Sequence, residues 1–406
     1  MVEPRPGSTP PTPVTIAAPR RAVAAPAGPP ARLGPVAAAA QTARTLAGEV
    51  GLAVNLQVTR RLPVSLVHFV TRRCNARCSF CFIDFDHPAQ RHTELTVEEI
   101  DRLTRTVGPH LRNVNLTGGE PFLRRDLDRI VDSWYRNTAI ESVYITSNGA
   151  FPDQVEDLAR RVAADHPDRR LIVSFSIDGL PADHDRIRRV SGLFDKTMDS
   201  YHRARAAGAN VTANIGITVS HENHSAVPEL YRHLVEERGI RAVTAIVVRD
   251  EGVYAIPEDH RREILAAYRW LTERIGVDLR SGVLEGYDPA TLQGRLMNRK
   301  NEMLWRIVAD TYLEPRYVSP CHAARLFGVI DVDGTVHPCE VLDRPLGNLR
   351  DHDMDLGRVW ASAAADETAH WIRDTRCHCS YECAWGFNIL GNARYQPELL
   401  RAAIGR

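Results

Sequence analysis

The sequence predicts an α/β protein built on a mostly parallel sheet, and three observations carry that expectation. Apolar runs and amphipathic stretches alternate six times between residues 64 and 275, which is the rhythm of successive strand–helix units. Leu171-Ile172-Val173 and Ala245-Ile246-Val247-Val248 are continuously apolar, as strands covered on both faces are. Turn-forming residues such as Asp178-Gly179 follow the runs. Six such units make either a partial barrel or a doubly wound sheet.

In chain order, the apolar run Val64 to Val70 predicts the first strand, followed by a helix near 96–108. A second strand near 112–117 runs into Gly118-Gly119, and a helix opens near Asp126 and reaches 137. Strands near 142–147 and 170–177 are followed by helices near 153–165 and 195–208, and strands near 211–219 and 242–248 by helices near 225–238 and 258–275. Beyond them Leu296, Met303, Leu304, Ile307 and Val308 recur at helical spacing, so 295–312 reads as a packing helix. Asp331 to Cys339 reads as a hairpin turning at Asp333-Gly334. No repeat recurs beyond the strand–helix units.

Composition bounds the function. The 406 residues include 51 basic and 51 acidic side chains, so no net charge draws the chain to nucleic acid or to an anionic membrane. No apolar run approaches the roughly 18 to 20 residues that a membrane span needs. The first stretch, about 45 residues rich in Pro and Ala with almost no acid besides Glu3, buries too little to order itself and reads as a dispensable tail. Without a secretory signal, a reducing, cytoplasmic setting is expected, in which cysteines stay free for metal rather than form disulfides. Such a length divides into a tail over 1–48, a strand–helix core over 49–250, a mostly helical bridge over 251–316 and a small cysteine-rich domain over 317–406.

Cys74, Cys78 and Cys81 stand in the spacing Cys-x-x-x-Cys-x-x-Cys directly after the first strand. That spacing supplies three thiolates to a four-iron cluster and leaves one iron without a protein ligand. A zinc site wants a fourth ligand, and only His87 and His92 lie a little downstream. Arg72, Arg73 and Arg77 surround the hook and are expected to favour thiolate over thiol. After the second strand, Leu116-Thr117-Gly118-Gly119-Glu120-Pro121 offers two glycines where a ligand can approach the backbone and a carboxylate that can accept a hydrogen bond from an amino group.

With these two motifs in this order the chain resembles the radical S-adenosylmethionine (radical SAM) superfamily. The resemblance implies a partial (β/α)6 TIM barrel and SAM bound to the open iron of a 4Fe-4S cluster at Cys74, Cys78 and Cys81. It further implies that Phe80 packs on the adenine and that Gly118, Gly119 and Glu120 hold the amino group. Asn148, Ser176 and Asp178 at strand ends are implied to reach the ribose or methionyl part, and Arg188, in the His-Asp-x-x-Arg stretch from His184, the SAM carboxylate.

The other five cysteines lie in the last third: Cys321, then Cys339 after Gly334, then Cys377, Cys379 and Cys383. This order resembles the SPASM and twitch extensions that hold auxiliary iron-sulfur clusters. A full SPASM domain uses seven cysteines for two clusters, so five imply one auxiliary 4Fe-4S cluster with four of them as ligands. Cys321, Cys339 and Cys383 read as the firmer ligands, with Cys377 and Cys379 competing for the fourth place. A structural zinc site with His322 or His378 is the alternative.

The resemblance implies an enzyme. It takes an electron from reduced flavodoxin or ferredoxin, cleaves SAM to a 5'-deoxyadenosyl radical and abstracts a substrate hydrogen. With the auxiliary cluster as electron acceptor, the expected outcome is net oxidation of a small metabolite. A peptide-modifying maturase and an epimerase fed by the spare cysteine are alternatives, and so, from another class, is a non-catalytic iron-sulfur or zinc redox sensor or scaffold. By the strand-end rule Arg249, Glu251 and Tyr254 should meet substrate at the barrel mouth.

Overall fold

The protein is described here by a computed structural model covering residues 51–59, 61–85, 93–249 and 256–405. The tail over 1–48, His87, His92, Glu251 and Tyr254 lie outside the described residues. Six parallel strands follow one another in sequence order across the sheet: β1 (Ser65–Thr71), β2 (Asn113–Gly118), β3 (Ser142–Ser147), β4 (Arg170–Ser176), β5 (Val211–Val219) and β6 (Val243–Val247). Between them run α1 (Val97–Thr104), α2 (Leu127–Asn137), α3 (Pro152–Asp165), α4 (Pro181–Arg188), α5 (Leu193–Ala206) and α6 (Val227–Arg232). The expected α/β partial barrel is therefore present, as an open sheet. Each expected strand lies within one residue of its expected ends, because apolar runs mark the strand face that the helices cover.

α1 shows how local sequence sets an element. Thr96 caps it by accepting from the Glu99 amide at 3.2 Å, while the Glu99 carboxylate accepts from the Thr96 amide at 2.8 Å. Ile100 and Leu103 then face the core with no exposure. α4 was not expected as a helix, since its polar sequence Pro-Ala-Asp-His-Asp-Arg-Ile-Arg carries little apolar periodicity. It matters because it carries Arg188.

The two faces of the strands differ. Residues such as Val143, Ile145, Val173 and Ile215 are fully buried in the main hydrophobic core. Their alternates include Asn115, Tyr144 and Thr146, which are half-buried, and Asn214, whose amide donates to the Tyr144 hydroxyl at 3.2 Å. The unbroken apolar runs overstate the burial: Ile172 is half-buried and Ile246 exposed. The inner face of the sheet is thus a polar surface rather than a filled core.

After β6 come two long helices, α7 (Arg261–Ser281) and α8 (Leu292–Thr311), the second being the expected packing helix. The hairpin also forms, with β7 (Phe327–Ile330) antiparallel to β8 (Thr335–His337) and Gly334 at positive φ in its turn. Its placement was not expected, for β7 lies parallel beside β1, Ser65 opposite Phe327, and β9 (Gly347–Asn348) completes a nine-stranded sheet. The chain then finishes in α9 (Leu356–Trp360), α10 (Ala363–Asp374), α11 (Glu382–Gly391) and α12 (Gln396–Ala403). Among the described residues no helix is long and apolar enough to cross a membrane.

Candidate functional site

The three-cysteine loop leaves the carboxyl end of β1 and is held from two sides. On the first side the Gly118-Gly119-Glu120 loop docks onto its backbone: the Gly119 amide donates to the Thr71 carbonyl and the Glu120 amide to the Arg73 carbonyl, both at 2.8 Å. A Cβ on Gly118 would stand 2.0 Å from the Thr71 carbonyl oxygen, and one on Gly119 2.2 Å from that of Arg73. The glycines thus admit the chain's own backbone, where the sequence suggested a ligand. Gly119→Ala is accordingly expected to cost roughly 1–3 kcal/mol, as overpacking does, seen as a lower urea midpoint. An unchanged midpoint would show that the two loops yield freely.

Glu120 is fully buried. Its carboxylate accepts from the Asn148 amide at 2.7 Å, the Ser147 hydroxyl at 2.9 Å and the Phe122 amide at 3.1 Å, so the end of β3 orients it. Burial pushes its pKa from 4.5 up to about 7, against the pull of those donors and of Arg188. The folded state then keeps a proton that the unfolded chain releases between these values. Its contribution to stability falls as pH rises through that window, and the cost is complete above about 7. Relative to Glu120→Gln, the ligand-free protein is expected to lose on the order of 3 kcal/mol from pH 4.5 to 7. Parallel stability curves for the two proteins would contradict the displaced carboxyl.

On the second side the end of α4 grips the hook, the Arg77 amide donating to the Arg188 carbonyl and the Ser79 amide to that of Ile187, each at 3.2 Å. The Arg188 side chain is buried and turned onto Asp178, donating from Nε at 2.8 Å and Nη2 at 2.6 Å to the same carboxylate oxygen. The other oxygen of Asp178 accepts from the Thr218 amide at 3.0 Å. The resemblance implied that both residues hold SAM; in the structure each is engaged by the other. Asn148 donates to Asn75 at 2.9 Å and points the same amide at the Cys74 sulfur, 3.9 Å away. Phe80 packs against the main core, and Ser176 is half-buried at the end of β4.

The thiols are not lowered as expected. Burial pushes Cys74 up to about 11 and raises Cys78 and Cys81 as well. Arg72 is paired with Asp331, Arg73 is 63% exposed beside Glu94, and Arg77 donates to the carbonyls of Cys74 and Ala76 while covering the Phe85 ring. Arg188 is the leading cation that opposes the rise at Cys78 and Cys81. Deprotonation must then come with metal binding itself.

The C-terminal cysteines divide four to one. Cys321, Cys339, Cys377 and Cys379 pack together against a small apolar cluster with Phe327, Ile372 and Tyr381. Burial, reinforced by the mutual influence of these four sulfurs, raises their pKa values. Cys383, read above as one of the firmer ligands, instead opens α11 and is exposed. It keeps accessible surface, yet the protein mass around its sulfur and Glu340 push it up to about 12, with Tyr381 and Arg249 opposing. His378 donates to the Arg376 carbonyl at 2.9 Å. Among the described residues no three His, Cys, Asp or Glu side chains converge tightly enough to hold a single metal ion.

Several residues at the site gave no motif. Arg249 was expected to meet substrate but is 17% exposed and pairs with Glu340 at 3.0 Å. Glu340 directly follows Cys339, and that adjacency was the available signal. Burial lowers Lys300 to about 8 against the pull of nearby Cys383. Tyr144, Ser174 and Asn214 come from the inner alternates of their strands, which only the strand period marks.

Known proteins agree with this picture. Residues 69–234 match the family described as Radical SAM superfamily, and residues 321–384 match SPASM, an iron-sulfur cluster-binding domain. The chain is 34% identical over 171 residues to a GTP 3',8-cyclase of Rhodopseudomonas palustris (strain TIE-1), a match covering 40% of this chain and 46% of that one. A pre-heme d1 synthase of Dinoroseobacter shibae is 27% identical over 188 residues, covering 45% of this chain and 43% of that one. The chain thus spans about half the length of the curated relatives it matches. Among solved structures, anSMEcpe with bound AdoMet has a TM-score of 0.54 at 18% identity, over 85% of this chain and 100% of that one. SuiB of Streptococcus suis bound to its precursor peptide SuiA has 0.52 at 15%, over 84% and 73%, and both likenesses concern the fold. By its barrel, its two cysteine sets and these matches, the chain belongs to the radical SAM superfamily and carries a SPASM domain.

Proposed function

We propose that this protein is an enzyme that cleaves SAM reductively and abstracts a hydrogen from a small neutral metabolite, with net two-electron oxidation as the outcome. A radical SAM domain with a SPASM domain implies SAM, a 4Fe-4S cluster and an auxiliary cluster as cofactors. The residues present fit them: three thiols on one loop suit a cluster with an open iron, and four thiols packed against one apolar cluster suit a closed one. When bound, these cofactors supply a 5'-deoxyadenosyl radical from one electron, delivered by reduced flavodoxin or ferredoxin.

The chain's own residues position and shield. The observation that carries the reading is the suspension of the Cys74–Cys81 loop between Glu120 and the Asp178–Arg188 pair at the carboxyl ends of parallel strands. Glu120, oriented by the end of β3, would take the amino group of SAM, flanked by Gly118 and Gly119. Asn148, Ser176 and Phe80 would line the nucleoside side, and the Asp178–Arg188 pair would hold the wall beside Cys78. The uncharged polar inner face, Asn115, Tyr144, Ser174 and Asn214, favours a neutral hydroxyl-bearing substrate. Anaerobic reconstitution with iron and sulfide, followed by SAM and dithionite, tests the core of this reading. Release of 5'-deoxyadenosine is expected, whereas a colourless, zinc-loaded protein that leaves SAM intact would make it a scaffold.

A second outcome, epimerisation, is favoured by one observation: Cys383 keeps accessible surface, lies outside the apolar cluster that the other four C-terminal cysteines pack against, and has its pKa raised. Such a thiol can return a hydrogen atom to a substrate radical. The two outcomes share a prediction about ligation. Alanine at Cys321, Cys339, Cys377 or Cys379 is each expected to remove about one cluster's iron, while Cys383→Ala keeps the wild-type count. Iron loss in Cys383→Ala would return it to the ligand set.

A further inference from the structure

Arg249 touches three residues, each within two positions of a cysteine. Its guanidinium stacks on the Phe82 ring at 4.3 Å and on the Tyr381 ring at 4.7 Å, and it pairs with Glu340 at 3.0 Å. Phe82 directly follows Cys81, Glu340 directly follows Cys339, and Tyr381 lies between Cys379 and Cys383. The Tyr381 hydroxyl closes the group by donating to Glu340. A second contact fixes the same junction, as the Val247 amide at the end of β6 donates to the Glu382 carboxylate at 2.8 Å. The Arg249–Glu340 pair, largely withdrawn from water, therefore stands where residues that neighbour both cysteine sets in sequence meet.

We propose that Arg249 is a positioning residue for the auxiliary cluster, a buried cation that raises the cluster's midpoint potential while Glu340 lowers it. The physical ground is that a reduced cluster is more negative than an oxidised one, so a nearby cation favours the reduced form and a nearby carboxylate the oxidised form. Low local polarity around the stacked rings leaves these influences weakly screened. Only Arg, with its planar fork, can lie between two rings and still meet a carboxylate in its plane; Lys keeps the charge and loses the stack. The inference rests on reading Cys321, Cys339, Cys377 and Cys379 as the auxiliary thiolates; of these Cys339 lies in the field of Glu340, and Cys383, which both charges reach, marks where Arg249 stands.

The test is a redox titration, followed by electron paramagnetic resonance, of the fully reconstituted full-length protein. Arg249→Gln is expected to shift the auxiliary midpoint negative and Glu340→Gln to shift it positive. Each shift should be about tenfold in the reduced-to-oxidised ratio at fixed poise, which is about 59 mV for one electron. The double variant should lie near wild type, and Arg249→Lys nearer wild type than Arg249→Gln. Shifts of the same sign, or none in variants with wild-type iron, overturn the proposal. Should Arg249→Gln lose iron, Glu340→Gln alone decides: a positive shift supports it and an unmoved midpoint overturns it. Wild-type protein that holds iron for a single cluster would instead strike the auxiliary-site reading itself.

Discussion

Alanine at Cys74, Cys78 and Cys81 together is expected to leave a folded protein that releases no 5'-deoxyadenosine above background. All three cysteines are half-buried on a loop rather than packed in the core, so the replacement removes little apolar burial. The loop keeps its shape through backbone bonds: Glu120 to Arg73, Arg77 to Arg188 and Ser79 to Ile187. Unfolding midpoint and circular dichroism should therefore match wild type, while iron falls by about one cluster. Undiminished SAM cleavage by the triple variant would sink the functional reading.

Asp178→Ala is expected to destabilise the protein by roughly 3–5 kcal/mol, the usual consequence of leaving one member of a buried ion pair uncompensated. Asp178 is fully buried, and its loss strands the Arg188 guanidinium as well as the Thr218 amide. Replacing both partners, as in Asp178→Ala with Arg188→Met, should recover much of that loss, since no bare charge is then left inside. Urea denaturation of the three variants measures this. A loss below about 1 kcal/mol in Asp178→Ala would mean that water reaches Arg188. Because Asp178 raises the pKa of Cys78 while Arg188 lowers it, the single variant should leave Cys78 easier to deprotonate and take up iron no more slowly than wild type at neutral pH.

The barrel was legible because each strand buries one face under helices, which writes apolar runs of the right length into the chain. The hook was legible because cluster ligation fixes cysteine spacing. What escaped has a common physical origin in pairing between distant residues. Arg188 is ten positions from Asp178 and reads equally well as a ligand for SAM; only the fold shows its fork already engaged. Gly118 and Gly119 are recognisable as close-approach residues, yet the approaching group, the backbone at Thr71 and Arg73, lies some 46 residues earlier. Cys383 reads as a ligand by order in sequence, and only the fold shows it outside the apolar cluster that the other four C-terminal cysteines pack against. The inner polar face was hidden by the apolar runs themselves, because Ile172 and Ile246 interrupt an otherwise polar lining.

The pairing of β7 with β1 bears on how the protein comes into being. Ser65 to His68 find their partners on one side only when residues 327–330 have been made. Until then the strand that leads into the first cysteines emerges from the ribosome with an open edge, a known hazard for mispairing between chains. So long-range a junction also slows folding, since a large loop must close before it rewards itself. Cells that make this protein should therefore gain more soluble product from slower synthesis at lower temperature than from stronger expression, and metal loading should lag behind translation rather than accompany it.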